Sequence, residues 1–254
     1  MRRAMKILLK AFLSALGFLT ILPLGKRTRI TKKDFAHSTI FFPLVGAVIG
    51  ISLSLVNYLT LFFFSSFVAN ALITTAWIIL TGALHLDGFA DMVDGLFGGQ
   101  TKEERLRIMR DSFIGAKGTA FLFCLLALKF ALLMEIPPSH KYQALLFAPV
   151  VGRWSMVVGM FLAPYVRKEG MATAFIEHKR KEDLLWASLI TLIIGVSLFK
   201  FLFLGIIIGV ALGANFVLTS YLRRKIGGIT GDTLGALNEI IEVFTLLVIR
   251  CFKV

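Results

Sequence analysis

A chain of 254 residues that is 57% hydrophobic, with a mean hydropathy of +0.82, is too apolar for an ordinary soluble domain, which is about 45–50% apolar. Its formal charge of +13 does not indicate nucleic acid as a partner: most Lys and Arg fall between apolar segments, the pattern of a membrane protein's cytoplasmic loops. The two cysteines, Cys124 and Cys251, have no metal-ligand spacing and are expected to be buried thiols.

The first apolar stretch, Ile7 to Leu24, has Arg2, Arg3 and Lys6 before it and Lys26, Arg27, Arg29, Lys32 and Lys33 after it. Cations on both flanks predict a re-entrant or interfacial segment rather than a simple span. It imitates a signal peptide, but Lys10 interrupts the apolar run, so a retained segment is expected. Spans are predicted over 40–64 and 67–84, joined near Ser65-Ser66, then over 119–134 and 142–165, separated by Pro137-Pro138. An apolar hairpin over 184–199 and 201–222 follows, and a last helix runs toward the C-terminus. Thr101-Lys102-Glu103-Glu104 reads as a capping box that opens a short amphipathic helix, with Leu106, Met109 and Phe113 on one face. The expected fold is all-α: one integral membrane domain over 1–254, a polytopic helical bundle of about six to eight membrane segments. Alternating the spans puts loops 25–38, 87–117, 167–183 and 223–231 on one face. These loops hold most of the Lys and Arg, so that face is expected to be cytoplasmic in a prokaryotic inner membrane, with the motif loops gathered on it.

Two acidic groups are hard to explain by packing. In His85-Leu86-Asp87-Gly88-Phe89-Ala90-Asp91-Met92-Val93-Asp94-Gly95, the three carboxylates fall within roughly 60° of arc on a helix. Clustered at a membrane boundary they repel one another and resist desolvation, so they require a cation. Oxygen ligands of this kind suit magnesium, with manganese as the substitute, shared with a substrate phosphate. Gly88 and Gly95 let another helix or a substrate approach closely. In Gly231-Asp232-Thr233-Leu234-Gly235-Ala236-Leu237-Asn238-Glu239-Ile240-Ile241-Glu242, the three acids fall within about 80°, and Gly231 and Gly235 are expected to open space beside them. The candidate metal ligands are therefore Asp87, Asp91, Asp94, Asp232 and Glu242, and the candidate general bases are Asp94 and Glu239. Arg105, Arg110, Lys117 and Arg153 are candidate phosphate contacts, and His85 is a candidate for steadying the ligands from behind. No phosphate-binding loop, nucleophile elbow or zinc spacing is present. The residues alone lead to a membrane enzyme acting on a phosphate ester or anhydride with metal assistance.

The same residues carry a resemblance. The segment 85–95, Ile108-Met109-Arg110-Asp111-Ser112 with Gly115, Gly227-Gly228-Ile229-Thr230-Gly231-Asp232-Thr233-Leu234-Gly235-Ala236, Phe42-Pro43-Leu44-Val45-Gly46, and Phe18-Leu19-Thr20 through Pro23 resemble, in order, the cobalamin synthase (adenosylcobinamide-GDP ribazoletransferase) family. The resemblance implies a multi-pass membrane transferase using magnesium. Its substrates would be adenosylcobinamide-GDP and α-ribazole or its 5′-phosphate, its products a cobalamin and GMP, and a ribazole hydroxyl would attack the corrinoid-side phosphorus. By position it assigns the family's acidic motifs to Asp87, Asp91 and Asp94, and to Asp232, Glu239 and Glu242. Ile21 and Phe113 stand where the family often has a basic residue. A CDP-alcohol phosphotransferase resembles the chain less, because Phe89-Ala90 follow Asp87-Gly88 where that family has Ala-Arg. A divalent-cation transporter would place its acids deep in several spans rather than at one face.

Overall fold

In the computed structural model, residues 2–22, 35, 37–167, 170 and 172–251 are described. The basic residues Lys26, Arg27, Arg29, Lys32 and Lys33, with Pro23, Leu24 and Lys168, lie outside them. Eleven α-helices follow in order: α1 Arg2–Leu19, α2 Phe42–Thr60, α3 Ser66–Thr81, α4 Leu84–Gly98, α5 Lys102–Ile108, α6 Ala116–Glu135, α7 Pro138–Leu162, α8 Thr173–Glu177, α9 Lys181–Leu198, α10 Phe201–Ile226 and α11 Gly231–Cys251. A 3-10 turn, His37–Phe41, leads into α2. Pro43 and Pro138 sit in the first turns of α2 and α7, where a missing N–H costs nothing. Among the described residues there is no strand, only an isolated parallel bridge between Tyr165 and Ile229.

The buried centre is α7, which packs on α2 and α11 and more lightly on α9 and α10. Glycine sets the α2–α7 distance. A side chain at Gly50 would stand 2.5 Å from the Leu146 Cα, and one at Gly46 would overlap the Pro149–Val150 backbone. Every heavier residue at these positions pushes the helices apart.

Among the described residues four helical stretches are long and apolar enough to cross a membrane: His37–Thr60, Ala116–Glu135, Pro138–Leu162 and Phe201–Ile226. The pair α3 and α4 makes a fifth if it is taken as one bent span. The expected six to eight also took in α1, α9 and α11, which reach 18, 18 and 21 residues. Their charges lower their apolarity: Lys6 and Lys10 in α1, Lys181, Glu182 and Asp183 in α9, and Asp232, Glu239, Glu242 and Arg250 in α11.

The acidic segment belongs to a helix rather than to a loop. α3 ends at two successive left-handed residues, Gly82 at φ 59° and Ala83 at φ 55°, and the chain turns by 87° into α4. Glycine occupies that region without cost and alanine does not, so the corner is held by what surrounds it. α4 then lies against α11 and α6, with α5 folded onto it.

Two local expectations change. Phe113 falls beyond α5 and is 85% exposed, while Met109 is buried, so the amphipathic face ends one turn early. Cys124 and Cys251 are exposed, not buried. Cys124 shares the outer side of α6 with exposed Phe121, Phe123 and Leu128; in a membrane protein an apolar neighbourhood in sequence marks the lipid face as readily as the core.

The glycine contacts can be checked directly. Gly50→Val is expected to destabilise the protein by about 1–3 kcal/mol through overpacking, seen as a lower melting temperature in detergent. The same change at Gly205, which has no neighbour within 4 Å, is expected to leave it unchanged.

Candidate active site

Two glycines seat α4 on the start of α11. A side chain at Gly88 would stand 2.9 Å from the Asp232 Cα, and one at Gly235 would stand 3.2 Å from the His85 Cα. This close approach brings Asp232 to the acidic face of α4, where Asp87, Asp91 and Asp232 act on one another electrostatically. Gly95 serves the other side of α4: a side chain there would stand 2.9 Å from the Arg105 carbonyl and run into Met109, so it holds α5 in place. Gly231 has room, with only the Ala172 Cβ at 3.7 Å, and is not needed for close approach.

Arg167, which sequence reasoning passed over as one member of a basic loop, is the cation of this cluster. It donates to Asp232 at 2.5 Å and to the Met109 carbonyl at 3.1 Å. The bridge beside it places it there: Val166 N–H donates to the Ile229 carbonyl (3.0 Å), and Ile229 N–H donates to the Pro164 carbonyl (2.8 Å). Gly228 leaves no space for a side chain beside that carbonyl. The Gly227-Gly228-Ile229-Thr230 run therefore docks the loop after α7 onto the start of α11.

Two cavities share Asp87 in their walls. One is lined by Phe18, Phe42, Met156, Met160 and Phe175, with His85, Asp87, Tyr165, Arg167 and Asp232. The other is lined by Asp87, Asp91, Met109, Arg110, Asp111 and Ser112. The Met109–Ser112 segment forms part of the second wall.

Asp94, expected as a base and metal ligand, stands at the start of α6. Its two carboxylate oxygens accept the N–H groups of Gly115 (2.7 Å) and Gly118 (2.8 Å). It thus caps the positive N-terminal end of α6. Side chains at Gly115 or Gly118 would collide with that carboxylate, which explains both glycines.

Glu239, expected as a base, and Glu242, expected as a metal ligand, lie in a buried ion-pair cluster. Lys129 Nζ donates to Glu239 (2.7 Å) and to Glu242 (2.5 Å), Arg153 pairs with Glu242, and Asn238 Nδ2 donates to both at 3.2 Å. All four carboxylate oxygens have partners. The Lys129 ammonium also sits 4.3 Å over the Trp77 ring. Two acids and two cations, all buried, cancel one another, as buried charge requires. Arg153 is fully buried and stands 3.5 Å from His85 Nδ1; it holds the interior rather than a phosphate. His85 thus links this neutral cluster to the wall of the apolar cavity.

Of the remaining expected phosphate contacts, Arg105 is engaged with the carbonyls of Gly99 and Lys225, each at 3.1 Å, and Lys117 donates to the Phe97 carbonyl. Arg110 alone lines a cavity. Among the described residues no three His, Cys, Asp or Glu side chains form a ready-made metal cage. Asp87 and Asp91 still offer the hard oxygen donors that magnesium takes one or two of, alongside substrate phosphate oxygens and water.

Residues 11–250 match the family described as cobalamin-5-phosphate synthase. The chain is similar to adenosylcobinamide-GDP ribazoletransferases from Acetivibrio thermocellus (37% identical, 96% of this chain and 99% of the relative), Syntrophobacter fumaroxidans (39%, 94% and 98%) and Clostridium kluyveri (34%, 96% and 98%). No solved structure matches it.

The buried cluster and the acidic face differ in what substitution costs. Glu242→Gln is expected to destabilise the protein by about 3–5 kcal/mol, because it leaves buried cations uncompensated. Asp94→Ala, which strips the cap from α6, should cost about 1–2 kcal/mol. Asp87→Asn should leave the melting temperature in detergent nearly unchanged, since Asp87 is exposed.

Proposed function

The chain belongs to the cobalamin-5-phosphate synthase family, and we propose that it is an adenosylcobinamide-GDP ribazoletransferase. It joins adenosylcobinamide-GDP to α-ribazole or its 5′-phosphate and releases GMP. The observation that carries this reading is the place of Asp87 on the wall of both cavities. A two-substrate transfer needs its nucleophile and its electrophile to meet across one shared point.

In this reading the pyrophosphate lies in the polar cavity, between Asp91, Arg110 and Ser112. Asp87 and Asp91 would hold magnesium there, and the metal would supply positive charge to the pyrophosphate and to the departing GMP. Arg110 contributes a further positive charge to the phosphate oxygens. A ribose hydroxyl that is free in both α-ribazole and its 5′-phosphate forms a bond through its oxygen to the corrinoid-side phosphorus, the bond to the GMP oxygen breaks, and the hydroxyl proton passes to the Asp87–Asp91 carboxylate pair. Arg167 holds Asp232 against that pair and limits the repulsion among three carboxylates. The loops that build the cavities carry much of the positive charge, which orients them to the cytoplasmic side of the inner membrane.

Product analysis tests this. Purified protein in detergent, given adenosylcobinamide-GDP, α-ribazole and magnesium, is expected to form the cobalamin and GMP in equal amounts. Chelation of the metal should stop the reaction. Asp87→Asn should lower turnover by about 10²-fold or more while the fold is retained. Arg110→Ala should raise the KM for the GDP substrate more than that for the acceptor. Undiminished turnover under chelation and in Asp87→Asn would overturn the mechanism.

A further inference from the structure

The two cavities differ in chemistry. The polar one presents carboxylates, Arg110 and a hydroxyl. The other is lined mostly by apolar side chains, with Asp87, Tyr165, Arg167 and Asp232 as its less buried polar ones. Within its wall Phe175 packs on Phe18, Phe35 and Phe42 with ring centroids 5.0, 4.5 and 5.5 Å apart, and Met156 and Met160 are buried beside them. One buried polar side chain interrupts this wall. His85 lines the cavity, and its Nε2 has no partner in the protein.

An aromatic and thioether wall with one buried, unpartnered imidazole nitrogen fits a flat, largely carbon ring that bears one hydrogen-bonding nitrogen. Among the parts of the two substrates, the corrinoid carries many amide side chains, which a mostly apolar lining would leave unpaired. Guanine carries several donors and acceptors around its edge, and these would be left unpaired against Phe and Met. The benzimidazole ring of the acceptor has one free ring nitrogen and is otherwise carbon. With that ring inside, its ribose falls at the polar edge, and a free ribose hydroxyl is brought toward Asp87, which also lines the second cavity.

We infer that the cavity bounded by Phe18, Phe42, Met156, Met160 and Phe175 is the pocket for the acceptor's heteroaromatic base, with His85 Nε2 as the polar contact to the ring nitrogen. This rests on the transferase reading for the identity of the acceptor. It makes these five residues the determinants of which base is incorporated. A pocket of this kind discriminates between ring substituents by about tenfold to a hundredfold per group.

Calorimetric titration of the full-length protein with α-ribazole, without the second substrate, tests the pocket apart from turnover. Wild type is expected to bind it. Met160→Trp, which fills the cavity, is expected to weaken binding by about tenfold or more. Phe18→Leu, a milder change at a half-buried position, is expected to reduce several-fold the preference for the 5,6-dimethylbenzimidazole riboside over the unsubstituted one. Both variants should keep the KM for adenosylcobinamide-GDP within about twofold of wild type. If Met160→Trp fails to fold by thermal melt, the selectivity of Phe18→Leu decides. No binding of α-ribazole by wild type, or unchanged affinity and selectivity in the folded variants, overturns the assignment. Product formation with unaltered variants would remove the pocket and leave the transferase standing. Tight, variant-sensitive binding without product would do the reverse.

Discussion

Everything at the site depends on how closely α4 approaches the first turn of α11. Gly88 sits against the Asp232 backbone and Gly235 against that of His85, and each omits the side chain that would hold the two helices apart. The 87° corner at Gly82 and Ala83 aims α4 at α11, and the Tyr165–Ile229 bridge fixes where α11 begins. Carboxylates from two distant parts of the sequence thereby share one face, and Arg167 sits among them. The mutual repulsion of Asp87, Asp91 and Asp232 opposes this arrangement, so the packing of glycine against backbone must hold it. A bundle relying on side-chain interdigitation alone would relax by letting the helices slide apart.

The acids of this chain divide according to depth. Asp87 and Asp91 are reachable from a cavity and have no basic partner of their own on α4, which is the condition for taking a cation along with a phosphate. Glu239 and Glu242 are buried and fully matched by Lys129, Arg153 and Asn238, which is the condition for tolerating charge in the interior. All five acids considered for metal lie on two helices at regular spacing, so periodicity could not sort them. What sorts them are partners remote in sequence: Lys129 on α6 and Arg153 on α7 for Glu242, Arg167 after α7 for Asp232, and the Gly115 and Gly118 N–H groups for Asp94.

That is also where legibility in the sequence ends. The helical class, the membrane character and the acidic face of α4 follow from hydropathy and the 3.6-residue period, because those are local properties. The family follows from whole motifs in order. The role of Asp94 does not, since its partners are backbone N–H groups at Gly115 and Gly118, and backbone donors leave no trace in residue type. Arg105 and Arg153 looked equivalent as cations near an anionic substrate; one binds carbonyls and the other a buried glutamate. Arg167 was passed over because a basic loop residue carries no mark of the single carboxylate it will meet. The exposure of Cys124 was misjudged because hydropathy cannot separate lipid from core.

Two cavities sharing one carboxylate also constrain the order of events. Asp87 lines both, so under the proposed transferase reading a charge change at Asp87 would be felt by both substrates. A cation and pyrophosphate bound on the polar side would neutralise the shared wall and let a hydroxyl approach from the apolar side without facing an unscreened carboxylate. Conversely, a ring seated among Phe42, Phe175 and Met160 removes water from the edge at Arg167 and Asp232, which strengthens their ion pair and the field acting on the phosphorus. The two sites are thereby coupled in free energy, and the coupling is reciprocal: each substrate should bind more tightly when the other is present.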